Sequence, residues 1–349
     1  GIIFIGPRSD TMRQLGDKIR ARNIATECQV PINEGSQGIT DYKEAEGIAQ
    51  EIGFPVLFKA SAGGGGRGMR VAHNDISLVN AIAVAKREAQ VAFNDSSIYI
   101  EKYIEPSRHI EVQIVADKYG NIVHLGERDC SIQRRHQKLV EQSPAPNISD
   151  QLREDICKSA IKLAKAVGYT NVGTVEFLVD AEGKHYFIEM NTRLQVEHPV
   201  TEMLTGIDLV KEQIRIASGE RLNLRQKKIK CEGVAIECRI NAEDPDNGFR
   251  PHAGKITMCN APGGKGVRVD SHVYTGYEVP PYYDSLLGKL IVHKNSREDA
   301  IACMKRALSE YRIEGIKTTI PLHLKVISDS RFATGDIDTH FVENLIAEK

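Results

Sequence analysis

Lys59-Ala-Ser-Ala-Gly-Gly-Gly-Gly-Arg-Gly-Met-Arg70 is the stretch on which the fold turns. Before it, Pro55-Val-Leu-Phe-Lys-Ala60 reads as a short strand; after it, Met69-Arg-Val71 reads as a returning strand. Residues 63–68, GGGGRG, satisfy G-x-G-x-x-G, but a dinucleotide fingerprint needs a helix at that point and a strand follows here. The Lys-Ser/Thr ending of a Walker loop is missing too. Five glycines in six positions leave many backbone N–H groups open to phosphate oxygens. The stretch therefore predicts a phosphate-covering hairpin, with Lys59 as a nearby point charge. An ordinary loose turn is the bland alternative, disfavoured because glycine at this density costs folding entropy.

Outward from the hairpin, Ile76 to Phe93 reads as a helix and Ser97 to Lys102 as a strand, closing a small lobe the size of a βαβ unit. On the N-terminal side, Glu44 to Ile52 reads as a short helix and Ser9 to Gln29 as one helix stopped by Pro31. Gly1-Ile-Ile-Phe-Ile-Gly6 reads as a strand that partners from a preceding segment would cover. On the C-terminal side, Ile110 to Val115 and Ile122 to Glu127 alternate as an antiparallel pair around Asp117-Lys-Tyr-Gly120. Leu152, Ile156, Ala160, Leu163 and Val167 form the stripe of an amphipathic helix. Strands at 172–179 and 186–190 and a helix at 209–216 follow. The last third, from Gly233, mixes strands at 235–240 and 287–292 with helices at 297–308 and 321–327. The expected class is α/β, or α+β.

The chain has 349 residues, room for two or three compact units at about 150 residues each. Lys plus Arg number 46 against 47 Asp plus Glu, a net charge of -1, which excludes a nonspecific nucleic-acid binder. No apolar run approaches the roughly 18 residues of a membrane span. The nearest of the seven cysteines, Cys231 and Cys238, are seven positions apart, so neither a disulfide framework nor a C-x-x-C metal site is written here. Reduced thiols used for packing, in a cytoplasmic setting, fit best.

Two further stretches carry chemistry. Glu176 and Glu189 flank the turn Asp180-Ala-Glu-Gly183. If Val179 pairs with Lys184, Glu176 faces Phe187 and Glu189 lies diagonally from it at roughly 7–8 Å. Two such carboxylates suit a hard divalent cation such as magnesium; exposed acids on a hairpin are the alternative, and one step of register would undo the argument. In Glu189-Met-Asn-Thr-Arg-Leu-Gln-Val-Glu-His198, an extended backbone would point Asn191, Arg193, Gln195 and Glu197 the same way. An arginine fork there suits a small planar oxyanion such as bicarbonate, with a carboxylate to take its proton. Gln133-Arg-Arg-His-Gln-Lys138 reads equally well as a solvated basic run. Arg239, alone in an apolar strand, reads as a structural ion pair.

Taken together, Lys59–Arg70, Glu101-Lys-Tyr103, Arg108-His-Ile-Glu111, Glu127–Lys138 (ERDCSIQRRHQK), Glu189–Pro199 (EMNTRLQVEHP) and Pro280-Pro-Tyr-Tyr-Asp-Ser285 closely resemble biotin carboxylase of the ATP-grasp superfamily, over the whole chain. The resemblance implies an ATP-grasp fold in which 1–31 is the last strand and linker of a Rossmann-like domain. It implies that 32–103 is a glycine-loop lid lobe, 104–232 the main lobe and 233–349 the C-terminal biotin carboxylase region. Most of the family's N-terminal domain would then be missing, with its share of the biotin cleft and the homodimer surface.

The implied reaction is ATP-dependent carboxylation of biotin through carboxyphosphate. Bicarbonate, the biotin carboxyl carrier protein and a carboxyltransferase are the partners, as in the acetyl-CoA carboxylase of fatty acid biosynthesis, with no nucleic acid and no membrane. ATP would lie among Lys18, Lys59, Gly64, Gly65, Gly66, Met69, Glu101, Lys102, Ile104, His109, Gln133 and His136. Glu176, Glu189 and Asn191 would hold Mg2+ or Mn2+. Arg193, Gln195 and Val196 would hold bicarbonate and Glu197 would deprotonate it. Lys138 would meet the transferred phosphoryl group and Arg239 would steady the biotin enolate. Another ATP-grasp ligase that activates a carboxylate, or a nucleotide-binding module without turnover, are the competing readings. The Arg193-Gln195-Glu197 row speaks against the first, because an acyl substrate arrives already ionised.

Overall fold

The computed structural model describes all residues except 37, 40, 63–67 and 349. Gly64, Gly65 and Gly66, expected in the phosphate loop, lie outside the described residues. On either side, β1 (Val56–Ala60) and β2 (Arg70–Ala72) pair antiparallel, with Phe58 opposite Arg70, so the glycine stretch does join two strands of a hairpin. On its other edge β1 pairs antiparallel with β3 (Ile98–Lys102). The 19-residue helix α4 (Asp75–Phe93) packs on this sheet through Leu78, Ala81, Ile82, Ala85 and Ala89. Its start is sealed by a capping box between Asn74 and Ser77, and it ends on left-handed Asn94. A short helix, α3 (Tyr42–Ile52), adds Ala45 and Ala49 to the same core.

N-terminal to this lobe the structure departs from the reading. The helix expected over 9–29 is two helices, α1 (Ser9–Gly16) and α2 (Lys18–Glu27). Asp17 leaves helical geometry at φ -90°, ψ 114° and caps α2 by accepting from the Arg20 N–H at 3.0 Å. Residues 1–5 are not a strand, and Ile2, Ile3, Phe4 and Ile5 are exposed. A strand exists only through a neighbour's ladder of hydrogen bonds, and no strand among the described residues pairs with this segment.

The main body is one eight-stranded sheet with five strands from the middle of the chain and three from the last third. In chain order these are β4 (Ser107–Ala116), β5 (Ile122–Arg134), β6 (Gln137–Ser143), β7 (Asn171–Asp180), β8 (His185–Asn191), β9 (Val234–Asn241), β10 (Val267–Ser271) and β11 (Leu286–Lys294). Their spatial order is β10-β11-β9-β6-β5-β4-β7-β8, antiparallel throughout. Helix α5 (Asp150–Ala166) covers one part of a face with Ile156, Ala160 and Leu163 against Ile110, Val112 and Phe177. Helix α7 (Arg297–Glu310) covers another, packing Met304 and Leu308 with Ile236, Cys238 and Leu290. All seven cysteines are free, and Cys157, Cys238 and Cys303 sit in these cores as packing residues. No helix among the described residues is long and apolar enough to cross a membrane.

Candidate active site

The strand register assembles the site. Arg128 on β5 lies opposite Glu111 on β4, Glu111 opposite Glu176 on β7, and Glu176 opposite Glu189 on β8. One row of charged residues therefore crosses four neighbouring strands, with cross-strand spacings of roughly 5 Å. The last step depends on a bulge. The β7–β8 hairpin pairs Val179 with His185 and Phe177 with Phe187, then shifts so that Glu176 meets Glu189. This corrects the expected pairing of Val179 with Lys184. An unbroken register would have set Glu176 against Ile188; the extra residue in β8 brings the two acids face to face.

Lys138 gathers the row. It is the second residue of β6, just after a two-residue turn in which Arg135 and His136 take positive φ of 47° and 64°. Positive φ at both positions is the twist that joins β5 and β6 tightly, and Gln133 faces Lys138 across it. The ammonium donates to Glu111 at 2.5 Å, Glu197 at 2.6 Å, Glu176 at 3.0 Å and the Gln195 side-chain oxygen at 3.2 Å. Gln133-Arg-Arg-His-Gln-Lys138 is thus no simple surface run: its last member is nearly enclosed. Burial alone would push the Lys138 ammonium down, but the carboxylates of Glu111, Glu176 and Glu197 overcome it and hold it well above the ordinary lysine range.

The counterpart effect acts on the acids. Burial pushes Glu176 and Glu197 up, yet Lys138 above all, with His109 beside Glu176 and Arg239 beside Glu197, holds both carboxyls well below the usual range. His109 stands 3.1 Å from Glu176. Arg239 gives its Nε–H to Glu141 at 2.6 Å and a terminal nitrogen to Glu197 at 2.9 Å. Its ion-pair role is real, and one of its partners is the expected base.

Downstream of β8 the backbone is not extended as expected. β8 ends at Asn191; bends and a turn carry the chain through 192–197 into helix α6 (His198–Thr205). The turn closes because His198 bonds back to the Gln195 carbonyl through Nδ1 at 2.7 Å and through its backbone N–H. Folding the segment this way brings Gln195 and Glu197 inward without strand alternation. Gln195 donates to Glu176 at 2.7 Å. Arg193 is exposed, its guanidinium on the Leu194 carbonyl at 3.3 Å, so it stands outside the bonded cluster. The Val196 carbonyl accepts from Lys289 at 2.8 Å.

The donors expected for a metal are all oxygen-bearing. Asn191 bridges the two acids, its amide nitrogen 2.9 Å from Glu176 and 3.4 Å from Glu189. Lys18 adds its charge 3.8 Å from Glu189. Two facing carboxylates with an amide between them fit a hard divalent cation that shares phosphate oxygens.

On the lid side, Glu101 is buried and ion-paired with both Lys59 and Arg22, the latter at 3.1 Å. It therefore orients Lys59. Lys102 donates to the carbonyls of Gly53 at 3.0 Å and Phe54 at 2.9 Å, a structural anchor. Met69 and Ile104 are half-buried, Gln133 is buried and His136 is exposed.

Several members were not singled out from sequence. Glu111 and Arg128 are wholly buried, and Arg128 is saturated by Glu111 at 2.5 Å, Gln113 at 2.7 Å, Thr201 at 3.0 Å and Thr174 at 3.1 Å. The signal was available in Glu111-Val-Gln113, where polar residues take alternate positions in an otherwise apolar strand. Arg22 and Glu141 gave no comparable sign.

The family model for the ATP-binding domain of the carbamoyl-phosphate synthase L chain matches residues 17–225, and that for the biotin carboxylase C-terminal domain matches 237–344. Fold and site thus define an ATP-grasp ligase. Biotin carboxylase 1 of Bacillus subtilis is 55% identical over 344 residues, covering 98% of this chain and 76% of that protein. The biotin carboxylase of a Nostoc species is 54% identical over 346 residues, covering 99% and 77%. Among solved structures, the biotin carboxylase domain dimer of Hydrogenobacter thermophilus 2-oxoglutarate carboxylase, in complex with MgADP, ADP and bicarbonate, superposes with a TM-score of 0.96 at 52% identity, covering 99% of this chain and 76% of that one. The Campylobacter jejuni biotin carboxylase–β-γ-ATP complex also gives 0.96, at 49% identity, covering 98% and 77%. The chain belongs to the biotin carboxylase family.

Proposed function

We propose that this chain catalyses the ATP-dependent carboxylation of biotin by bicarbonate, the first half-reaction of a biotin-dependent carboxylase. The observation that carries the residue roles is the fourfold engagement of Lys138 with Glu111, Glu176, Gln195 and Glu197. In this reading bicarbonate attacks the γ-phosphorus of ATP, ADP leaves, and carboxyphosphate forms. Its collapse gives CO2 and a phosphate that takes the ureido proton of biotin; the enolate then attacks CO2.

Glu197 is the base that removes the bicarbonate proton. With Lys138 on one oxygen and Arg239 on the other, its carboxylate is a weak base. Lys138 turning toward the transferred phosphoryl group frees one of those oxygens and raises its basicity as the reaction begins. Arg239 serves the biotin enolate, and Arg193 at the mouth of the site, with Gln195 and Val196, receives bicarbonate. Glu176, Glu189 and Asn191 would hold a magnesium ion, which would supply charge neutralisation at the nucleotide phosphates. Lys18, Lys59, His109, Gln133 and His136 face the nucleotide. Segment 32–103 acts as the lid over 104–232, with 233–349 supplying Arg239. A biotin carrier protein and a carboxyltransferase are the partners, and a homodimer is the expected assembly.

The test is phosphate release from MgATP by the purified chain. Release that requires bicarbonate and rises with free biotin supports the reading. Hydrolysis indifferent to bicarbonate, or ATP consumption driven by a carboxylate and an amine, overturns it.

A further inference from the structure

Behind Arg239 lies a second pair of acids that the carboxylation steps leave without a role. Glu141 on β6 and Glu237 on β9 are directly opposite in the antiparallel register, and both are fully buried. Glu141 spends one oxygen on the Arg239 Nε–H at 2.6 Å, and its other oxygen has no hydrogen-bond partner. Glu237 has no partner on either oxygen. On the same face of the sheet, Ala235 of β9 and Ile291 of β11 pack with Val200 and Leu204 of α6. An ionised carboxylate there would be stripped of solvent with nothing returned; a neutral carboxyl costs far less.

Charges from every neighbouring element bear on the pair. They are Lys138 from β6, Arg239 from β9, Lys289 from β11 and Glu197 from the turn. The cations among them are already engaged. Lys138 holds Glu111, Glu176 and Glu197, Lys289 holds the Val196 carbonyl with Asp270 at 3.7 Å, and Arg239 is shared between Glu141 and Glu197. The backbone of Arg239 is fixed as well, its carbonyl accepting from Thr319 at 3.0 Å and lying 2.6 Å from the His323 Nε2.

We propose that Glu141 and Glu237 are positioning residues for the reaction: ionised Glu141 ties down the near side of Arg239 so that its far nitrogen meets Glu197, while Glu237 stays protonated, so that two acids can face each other beside one guanidinium. The electrostatic balance runs in the same direction. Burial, and then the Glu141 charge, pushes Glu237 well up; burial also raises Glu141, but Arg239 pulls it back, so that of the two acids Glu141 is the one that ionises. Glu141 thereby takes a share of the Arg239 charge that would otherwise fall wholly on Glu197. The basicity of the proposed base is set from one layer behind it.

This inference rests on the carboxylase reading, so the experiment has one arm that depends on turnover and one that does not. In the first, bicarbonate-dependent ATP hydrolysis is followed against pH for the wild-type chain and for Glu141→Gln and Glu141→Asp. Glu141→Gln is expected to keep KM for ATP within about twofold, to lose at least about tenfold in kcat/KM for bicarbonate, and to move the acid limb of the profile to lower pH, since Glu197 then carries all of Arg239. Glu141→Asp restores the charge and brings the limb back part of the way. A Glu141→Gln profile superimposable on wild type overturns the proposal.

In the second arm, melting of Glu237→Gln is compared with wild type at pH 5 and pH 8. A carboxyl whose folded pKa lies above its unfolded one loses stability as pH rises from about 4.5 toward the folded value. Replacing it with an amide removes that loss. The variant is therefore expected to melt at or above wild type at pH 8, with the gain shrinking toward pH 5. A melting temperature lowered at pH 8 but not at pH 5 means that Glu237 is ionised, and overturns the proposal even if the chain hydrolyses no ATP.

Discussion

Lys138→Met removes the one ammonium to which three buried carboxylates converge, keeping the length of the side chain while deleting its charge. The three acids do not lose equally. Glu111 keeps Arg128 at 2.5 Å, Glu197 keeps Arg239 at 2.9 Å, and Glu176 keeps His109 at 3.1 Å. Breaking a buried pair by deleting one partner costs roughly 3–5 kcal/mol, and the surviving partners keep the figure within that range. At roughly 2 °C per kcal/mol, the low end for large domains, the melting temperature falls by roughly 6–10 °C at pH 7.5.

The pH dependence is the sharper test. Glu176 and Glu197 are held below their ordinary range in the fold, so they contribute stability that is present above the unfolded pKa of about 4.5 and lost as pH falls through their folded values. Without Lys138 much of that contribution is gone at neutral pH. The deficit of the variant is therefore largest at pH 7–8 and shrinks as pH drops toward 4.5, where protonation relieves the orphaned acids. Calorimetric melts at pH 7.5, 6.0 and 5.0 read this directly. A deficit under about 2 °C at pH 7.5, or one that stays constant with pH, refutes the claim that Lys138 neutralises the cluster.

Glu197→Gln keeps the shape of the base and removes its proton affinity; bicarbonate-dependent hydrolysis is expected to fall roughly 10²–10⁴-fold, while nucleotide binding measured by calorimetry stays within about twofold. Glu189→Gln should raise the magnesium concentration needed for half-maximal hydrolysis at least about tenfold. Because Glu189 is partly exposed and loosely held by Lys18 and Asn191, its melting temperature should move by no more than about 2 °C. Arg128→Met leaves Glu111 to Lys138 alone and takes the buried donor from Gln113, Thr174 and Thr201, and should destabilise by roughly 3–5 kcal/mol in urea unfolding. A loss below about 1 kcal/mol would show that Arg128 is not the anchor of the row.

The elements were legible where the pattern is local. The glycine stretch lies between antiparallel strands as its flanks implied, and the stripe from Leu152 to Leu163 forms α5 over the sheet. The break at Asp17 was missed because Met12, Leu15, Ile19 and Ile24 keep nearly helical spacing across it, and only the Asp17 cap shows that a second helix begins. The acidic hairpin joins the two strands expected but not in the expected register, because a bulge in β8 shifts the pairing beyond Phe177 and sets Glu176 against Glu189 rather than Phe187. The row from Asn191 to Glu197, expected to point one way from an extended strand, divides instead: Asn191, Gln195 and Glu197 reach the cluster, the latter two through a bend, and Arg193 stays outside.

Residue types and their order, read alone, point to a kind of chemistry: glycines toward a phosphate cover, paired acids toward a hard cation, an arginine and a carboxylate toward a small oxyanion. Order along a chain carries no information about which distant strands become neighbours. The register of eight strands drawn from residues 107 to 294 decided that Lys138 meets Glu111, Glu176 and Glu197, and that Arg239 is shared between Glu197 and Glu141. The protonation states of those groups follow from that enclosure, because the energy of a charge depends on the water it has lost and the ions beside it.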